Sequence, residues 1–277
     1  MAAVAQGLRT ALEALAAEAA GRGGEMAISL RHLERDEAYD HLAQEPFVAA
    51  STIKVPVLVA LYAAAAEGRL RLDQEVALRA EDQVGGSGVL QVLSPGVRLP
   101  LRDLAELMIV VSDNTATNLL LERIGIDAVN ACMAALGLET TRVLRALQVV
   151  PVGAKGSNTV TAGELSELLA RLAQGRAVSW DACRRMVATL RRQQLREGLP
   201  GLLPPARGAA VGSLPAWELA HKTGSLSDHE HDVGLLYLPS QTIALSVLTR
   251  RCGPGRAARS LIARAGRAVF DAYVGAP

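Results

Sequence analysis

The opening stretch, MAAVAQGLRTALEALAAEAAGRGG, repeats apolar residues at helical spacing, interrupts them with Arg9, Glu13 and Glu18, and stops at glycines. That pattern predicts an amphipathic helix. Met26–Leu33 (MAISLRHL) then reads as a strand, with a second short strand before Phe47. From Ser51 the periodicity turns helical, and helices are predicted over Thr52–Ala66, Leu101–Val111, Thr115–Arg123, Asp127–Ala135, Ala162–Gln174 and Trp180–Gln194. Val149–Asn158 reads as a loop and Gly198–Pro215 as a Pro/Gly-rich connection. Three strands follow at Glu218–Thr223, Val233–Leu238 and Ile243–Thr249, joined by a loop at Leu226–Asp232 and a turn at Pro239–Gln241. A basic amphipathic helix, Gly255–Tyr273, closes the pattern.

Strands at both ends of the chain pair most simply into one antiparallel sheet, with the two terminal helices on one face. The expected organisation is therefore one catalytic unit over 1–277. Residues 1–50 and 215–277 form a discontinuous α/β lobe, and 51–214 form a mainly helical lobe. A cleft between the helical lobe and the sheet edge is the natural place for a site.

Length and composition agree with an ordinary soluble globular protein: 277 residues, half of them apolar and 21% charged. A net charge of +1 gives no field that would attract nucleic acid or an anionic membrane. Three widely spaced cysteines, Cys132, Cys183 and Cys252, exclude a complete disulfide framework, and no Cys or His spacing suggests a metal site. No cofactor is implied. The longest apolar run, Val55–Ala66, is too short to span a bilayer and contains Pro56, and the opening helix lacks a secretory apolar core. The expectation is a soluble monomer acting on a small molecule, unexported as written, although a chain stripped of its leader would read the same.

Chemistry enters with three short motifs in one order: Ser51-Thr52-Ile53-Lys54, Ser112-Asp113-Asn114 and Lys222-Thr223-Gly224. S-x-x-K alone arises by chance in roughly 0.15 of chains of this composition, and each of the others about 0.01 times. All three together are expected on the order of 10⁻⁵ times. They also consume two of only three lysines.

The physics of the set is coherent. A serine hydroxyl needs a neighbouring base to become a nucleophile, and residues at i and i+3 share a helix face. Lys54 becomes that base if burial and a second cation, Lys222, depress its pKa. Ser112 can relay a proton, and Asn114 can hold an acylamido group. The Ser or Asp of this motif also suits an N-cap of the following helix. Gly224 lets the backbone approach closely, while Lys222, Thr223 and Ser225 present groups for a substrate carboxylate. The backbone N–H groups of Ser51 and Ser225 are the expected oxyanion hole.

These motifs resemble those of class A β-lactamases and penicillin-binding proteins. The resemblance runs from about Leu8 to Tyr273 and includes the Phe47-Val48-Ala49-Ala50-Ser51 approach, the Asp113–Leu121 helix start, Asn158-Thr159-Val160-Thr161 and Gly234-Leu235-Leu236. It implies an α+β fold of the β-lactamase/transpeptidase type and a serine hydrolase working through an acyl-Ser51 intermediate. β-Lactam opening is the leading activity; an esterase, peptidase or transpeptidase acting on other substrates, or a non-hydrolytic penicillin-binding or sensing domain, uses the same motifs.

One feature departs from the family. Thr141-Arg142-Val143-Leu144-Arg145 is similar to the family's T-R-L-x-R, after which a deacylating Glu should fall near Leu147. The chain has Ala146-Leu147-Gln148 instead, and no carboxylate between Glu139 and Glu164. Glu164 reads as a solvated helix charge. His229, Glu230 and His231 read as a polar hairpin tip, with His231 the residue most able to face the cleft, as a base or a partner for a substrate carboxylate. An uncharged Lys54 is the other candidate base.

Overall fold

The computed structural model describes residues 2–148, 156–206 and 214–274; parts of the predicted 149–158 loop and 198–215 connection lie outside this range. The strands are β1 (Ala2–Ala3), β2 (Glu25–His32), β3 (Glu37–His41), β4 (Phe47–Val48), β5 (Glu75–Ala77), β6 (Arg98–Pro100), β7 (Thr159–Val160), β8 (Glu218–Ser225), β9 (His229–Leu238) and β10 (Gln241–Arg250). The helices are α1 (Gln6–Gly21), α2 (Lys54–Ala66), α3 (Leu101–Val110), α4 (Asn114–Ile124), α5 (Ile126–Ala135), α6 (Ala162–Ala173), α7 (Trp180–Arg191) and α8 (Gly255–Tyr273).

The main sheet has the order β1-β3-β2-β10-β9-β8, so the two ends of the chain meet in its middle. β2 and β10 pair antiparallel over eight residues, from Ile243 opposite His32 to Arg250 opposite Glu25. The sheet is mixed rather than wholly antiparallel, because the two residues of β1 add parallel to β3. So short a strand has no pattern of its own for a sequence reading to detect.

Alternation along the strands divides the core in two. One apolar cluster gathers Ile28, Leu30, Leu236, Leu245 and Val247 against Leu12 of α1 and Leu261 and Val269 of α8. The other gathers Val233, Leu235, Ala244 and Leu248 against α6 and the helical block. Helix α2 runs through that block with Lys54 to Tyr62 all buried. Over that stretch the helix has no solvent face, as expected where other elements enclose it, and only its last turn, Ala63–Ala66, reaches the surface.

The predicted Leu226–Asp232 loop is the main departure in this region. Here β9 begins at His229, and the hairpin closes through the Leu226 N–H donating to the His229 carbonyl at 2.8 Å. The polar run His229-Glu230-His231-Asp232 is thus strand, with Glu230, His231 and Asp232 buried.

Close packing makes specific glycines essential and leaves others idle. A Cβ on Gly266 of α8 would lie 2.3 Å from the Leu199 carbonyl oxygen, whereas one on Gly7 of α1 would meet nothing within 4 Å. Gly266→Ala is expected to lower unfolding free energy by about 1–3 kcal/mol, and Gly7→Ala to raise it by about 0.5–1 kcal/mol. Urea titrations of both variants check the contrast.

Candidate active site

Ser51 lies in a single 3₁₀ turn, Ala50–Ile53, that leads directly into α2 at Lys54. In such a turn residues i and i+3 eclipse, which brings these two side chains together more directly than an α-helix would. Lys54 Nζ stands 3.2 Å from Ser51 Oγ. Ala50 before it has φ 45° and Ser112 has φ 56°, the left-handed region that Cβ-bearing residues avoid. Each such residue costs about 1–3 kcal/mol and persists only where its surroundings hold it.

The surroundings are explicit. Lys54 is wholly buried, and its Nζ also lies 2.7 Å from the Ser112 carbonyl oxygen, 3.0 Å from Ser112 Oγ and 2.9 Å from Asn114 Oδ1. All four neighbours are neutral oxygens. Burial therefore pulls the Lys54 pKa well below its ordinary value, the nearby Lys222 adds repulsion, and Asp113 only partly opposes them. Lys222, also wholly buried, donates to Ser112 Oγ at 3.0 Å and to the Thr223 carbonyl at 2.8 Å. Burial lowers its pKa to about 7 against the attraction of Asp232. One hydroxyl, that of Ser112, sits between the two amines.

Asp113 fixes this arrangement from behind. Its Oδ1 caps α4 by accepting from the Ala116 N–H at 2.9 Å, and its Oδ2 accepts from the N–H groups of Val89 at 2.7 Å and Leu90 at 2.9 Å. The capping role and the site role of this motif coexist. Gly88 (φ 106°) passes so close that a Cβ would lie 2.3 Å from the Asp113 carboxylate. Asn114 donates its Nδ2 to the Gly85 carbonyl at 3.1 Å while accepting from Lys54, so its amide bridges the glycine-rich turn and the lysine.

Gly224 plays a role different in detail from the expected one. Its close approach is to Ser51 itself: a Cβ there would lie 3.1 Å from Ser51 N and 3.1 Å from Ala50 Cβ. β8 is the sheet edge nearest that turn. Leu226 and His229 are a hydrogen-bonded pair, so by alternation Ser225, opposite Glu230, is not. The Ser225 N–H is consequently directed away from β9, off the sheet edge.

His231 is one of the residues lining the cavity at the end of β8, but its ring is held by backbone partners. It is 2% exposed, with Nε2 2.9 Å from the Val48 carbonyl oxygen and Nδ1 3.1 Å from the Thr249 amide nitrogen. Burial lowers its pKa to about 4, so the ring is neutral and donates from Nε2 to Val48. It fills the space opposite Gly224 and holds the strand that leads to Ser51, through a partner 183 positions away that no local pattern could indicate.

Glu164 is likewise not a solvated charge: its carboxylate accepts from the N–H groups of Thr140 at 2.9 Å and Thr141 at 2.6 Å. It pins the entry of the 141–148 segment. Leu147 is fastened to α4 by a reciprocal pair, its N–H donating to Asn118 Oδ1 at 2.8 Å and its carbonyl accepting from Asn118 Nδ2 at 3.0 Å. The position where a carboxylate was sought thus belongs to a leucine held beside the Ser112-Asp113-Asn114 helix. Among the described residues no group of three or more His, Cys, Asp or Glu could hold a metal ion, and no helix is long and apolar enough to cross a membrane.

The buried neutral His231 has a measurable consequence. Its folded pKa, about 4, lies below the ordinary histidine value of 6.5. The unfolded chain therefore binds the extra proton first, and stability falls as pH drops from about 6.5 to about 4, then levels. This group should contribute a loss of about 3 kcal/mol across that window. A His231→Asn variant should show a correspondingly flatter pH dependence in denaturant melts.

Residues 7–273 match the model described as the β-lactamase enzyme family. A β-lactamase from Sphaerobacter thermophilus DSM 20745 has a similar structure, with TM-score 0.89 and 33% identity over 97% of this chain and 98% of that one. PBP-A is also similar, with TM-score 0.84 and 26% identity over 99% and 98% of the two chains. A PBP-A variant has been solved as an acyl-enzyme complex with penicillin G. β-Lactamase CTX-M-4 of Salmonella typhimurium is 27% identical over 259 residues, 91% of this chain and 85% of that protein. With the α+β fold and the full-length match together, the chain belongs to the β-lactamase enzyme family and is a serine hydrolase.

Proposed function

We propose that the chain opens β-lactam amides through an acyl-Ser51 intermediate and releases that intermediate slowly. The observation that carries the reading is Lys54 Nζ, fully buried among four neutral oxygens beside Ser51 Oγ. As a neutral amine it takes the Ser51 proton while Oγ bonds to the lactam carbonyl carbon. The N–H groups of Ser51 and Ser225 receive the oxyanion. When the C–N bond breaks, the Ser112 hydroxyl gives its proton to the leaving nitrogen and is resupplied from the lysine pair. The second N–H of Asn114 Nδ2 is left to hold an acylamido oxygen, and Thr223 and Ser225 line the far side.

Deacylation requires a water to lose a proton near the ester. Leu147 has no basic atom, and Gln148 can orient a water but not deprotonate it at neutral pH. Lys54 is then the base for both halves of the cycle. The likeness to PBP-A, a variant of which is solved as an acyl-enzyme complex with penicillin G, supports an acyl-serine intermediate here.

Incubation with a fluorescent penicillin and with nitrocefin, followed by intact-mass measurement, tests this. Ser51→Ala should show no adduct; stoichiometric labelling of that variant would refute the nucleophile. Lys54→Ala should slow acylation by about 10²–10⁴-fold. Leu147→Glu should accelerate adduct release by about 10²-fold or more while leaving acylation within a few-fold. Release no faster than wild type would show that Leu147 is not the limiting position.

A further inference from the structure

Across the hairpin from Ser225, at a non-hydrogen-bonded position where opposed side chains approach closely, stands Glu230. Its carboxylate is 8% exposed and accepts from Ser225 Oγ at 2.9 Å and from the Arg259 guanidinium at 2.7 Å. Gly255 leaves the room: a Cβ there would lie 2.6 Å from Glu230 Oε1. Arg259 is shared with a second carboxylate, that of Glu197, at 2.9 Å. Thr223, Ser225, Glu230, Glu197 and Arg259 all line one cavity of about 490 Å³ at the end of β8.

An acyl donor with a carboxylate next to its scissile nitrogen would direct that group to the Thr223 and Ser225 hydroxyls, on the reading given above. Here the Ser225 hydroxyl already donates to an internal carboxylate, and the guanidinium behind it is engaged by two. We infer that Glu230 is a specificity-determining residue: its carboxylate takes the anchor that a substrate carboxylate would use. The site therefore favours acyl donors that are uncharged or cationic at that position. Burial pushes the Glu230 carboxyl up from its ordinary pKa, while the Ser225 hydroxyl and the Arg259 guanidinium favour its charged form. Two carboxylates competing for one hydroxyl and one guanidinium repel, and an incoming anion also loses its hydration.

The inference rests on acylation of Ser51 by β-lactams, and the test separates the two. Second-order acylation rate constants are measured for penicillin G and its methyl ester, each divided by the compound's rate of opening by hydroxide. The wild type should favour the ester after this normalisation. Glu230→Gln and Glu230→Ala, checked for folding by thermal melts, should raise the rate for the carboxylate by about tenfold and leave the ester within about twofold. The normalised wild-type ratio needs no variant and stands even if both substitutions unfold the chain. A wild-type preference for the carboxylate, or an ester-to-carboxylate ratio unmoved by substitution, overturns the assignment of Glu230 alone. No adduct from either compound overturns the β-lactam reading and this inference with it.

Discussion

The site depends on placing a lysine where its ammonium form is poorly tolerated. Among the described residues, the hydrogen-bond partners of Lys54 Nζ are two serine hydroxyls, a carbonyl and an amide oxygen, none of them charged. Burial then favours the amine, and the amine is what can take a proton from Ser51. The surrounding framework maintains that environment. α2 is buried from Lys54 to Tyr62, Asp113 engages three backbone N–H groups, and Lys222 faces the same Ser112 hydroxyl.

Strain at Ala50 and Ser112 belongs to the same design. Both residues present their neighbours at angles that regular backbone would not give, and both are held by contacts on either side. The sheet edge is pressed against the Ser51 turn through Gly224, and His231 binds the Val48 carbonyl just before it. A sheet made from the two ends of the chain and a helical block made from its middle thus meet at the nucleophile. Precision there comes from two rigid bodies rather than from one loop.

The residues around this centre divide the catalytic cycle unevenly. Everything facing Ser51 from the Lys54, Ser112 and Lys222 side is built of proton-carrying groups, whereas the 144–147 segment presents Leu147, fixed in place by Asn118. On the β8 side, Glu230 puts a charge of the chain's own where an anionic group would dock. On the reading proposed above, Leu147 bears on how fast acyl groups leave and Glu230 on which of them enter.

Much of this was legible in the sequence, because its causes are local. Helical periodicity set the helical block to within a few residues, alternation located most of the sheet, and i, i+3 spacing paired Ser51 with Lys54. The missing carboxylate near Leu147 needed only reading. What local pattern could not supply were roles decided by distant partners. His229 to Asp232 look like a turn because four polar residues in a row lack strand alternation. They are strand because Val48, Arg259 and Leu199, far apart in the chain, supply the hydrogen bonds that let His231, Glu230 and Asp232 be buried. Glu164 looked solvated for the same reason, its partners being the backbone of Thr140 and Thr141. Sequence alone determined which chemical groups are present and which are missing. Tertiary structure decided which charges are buried and neutralised, because burial is a property of neighbours and not of spacing.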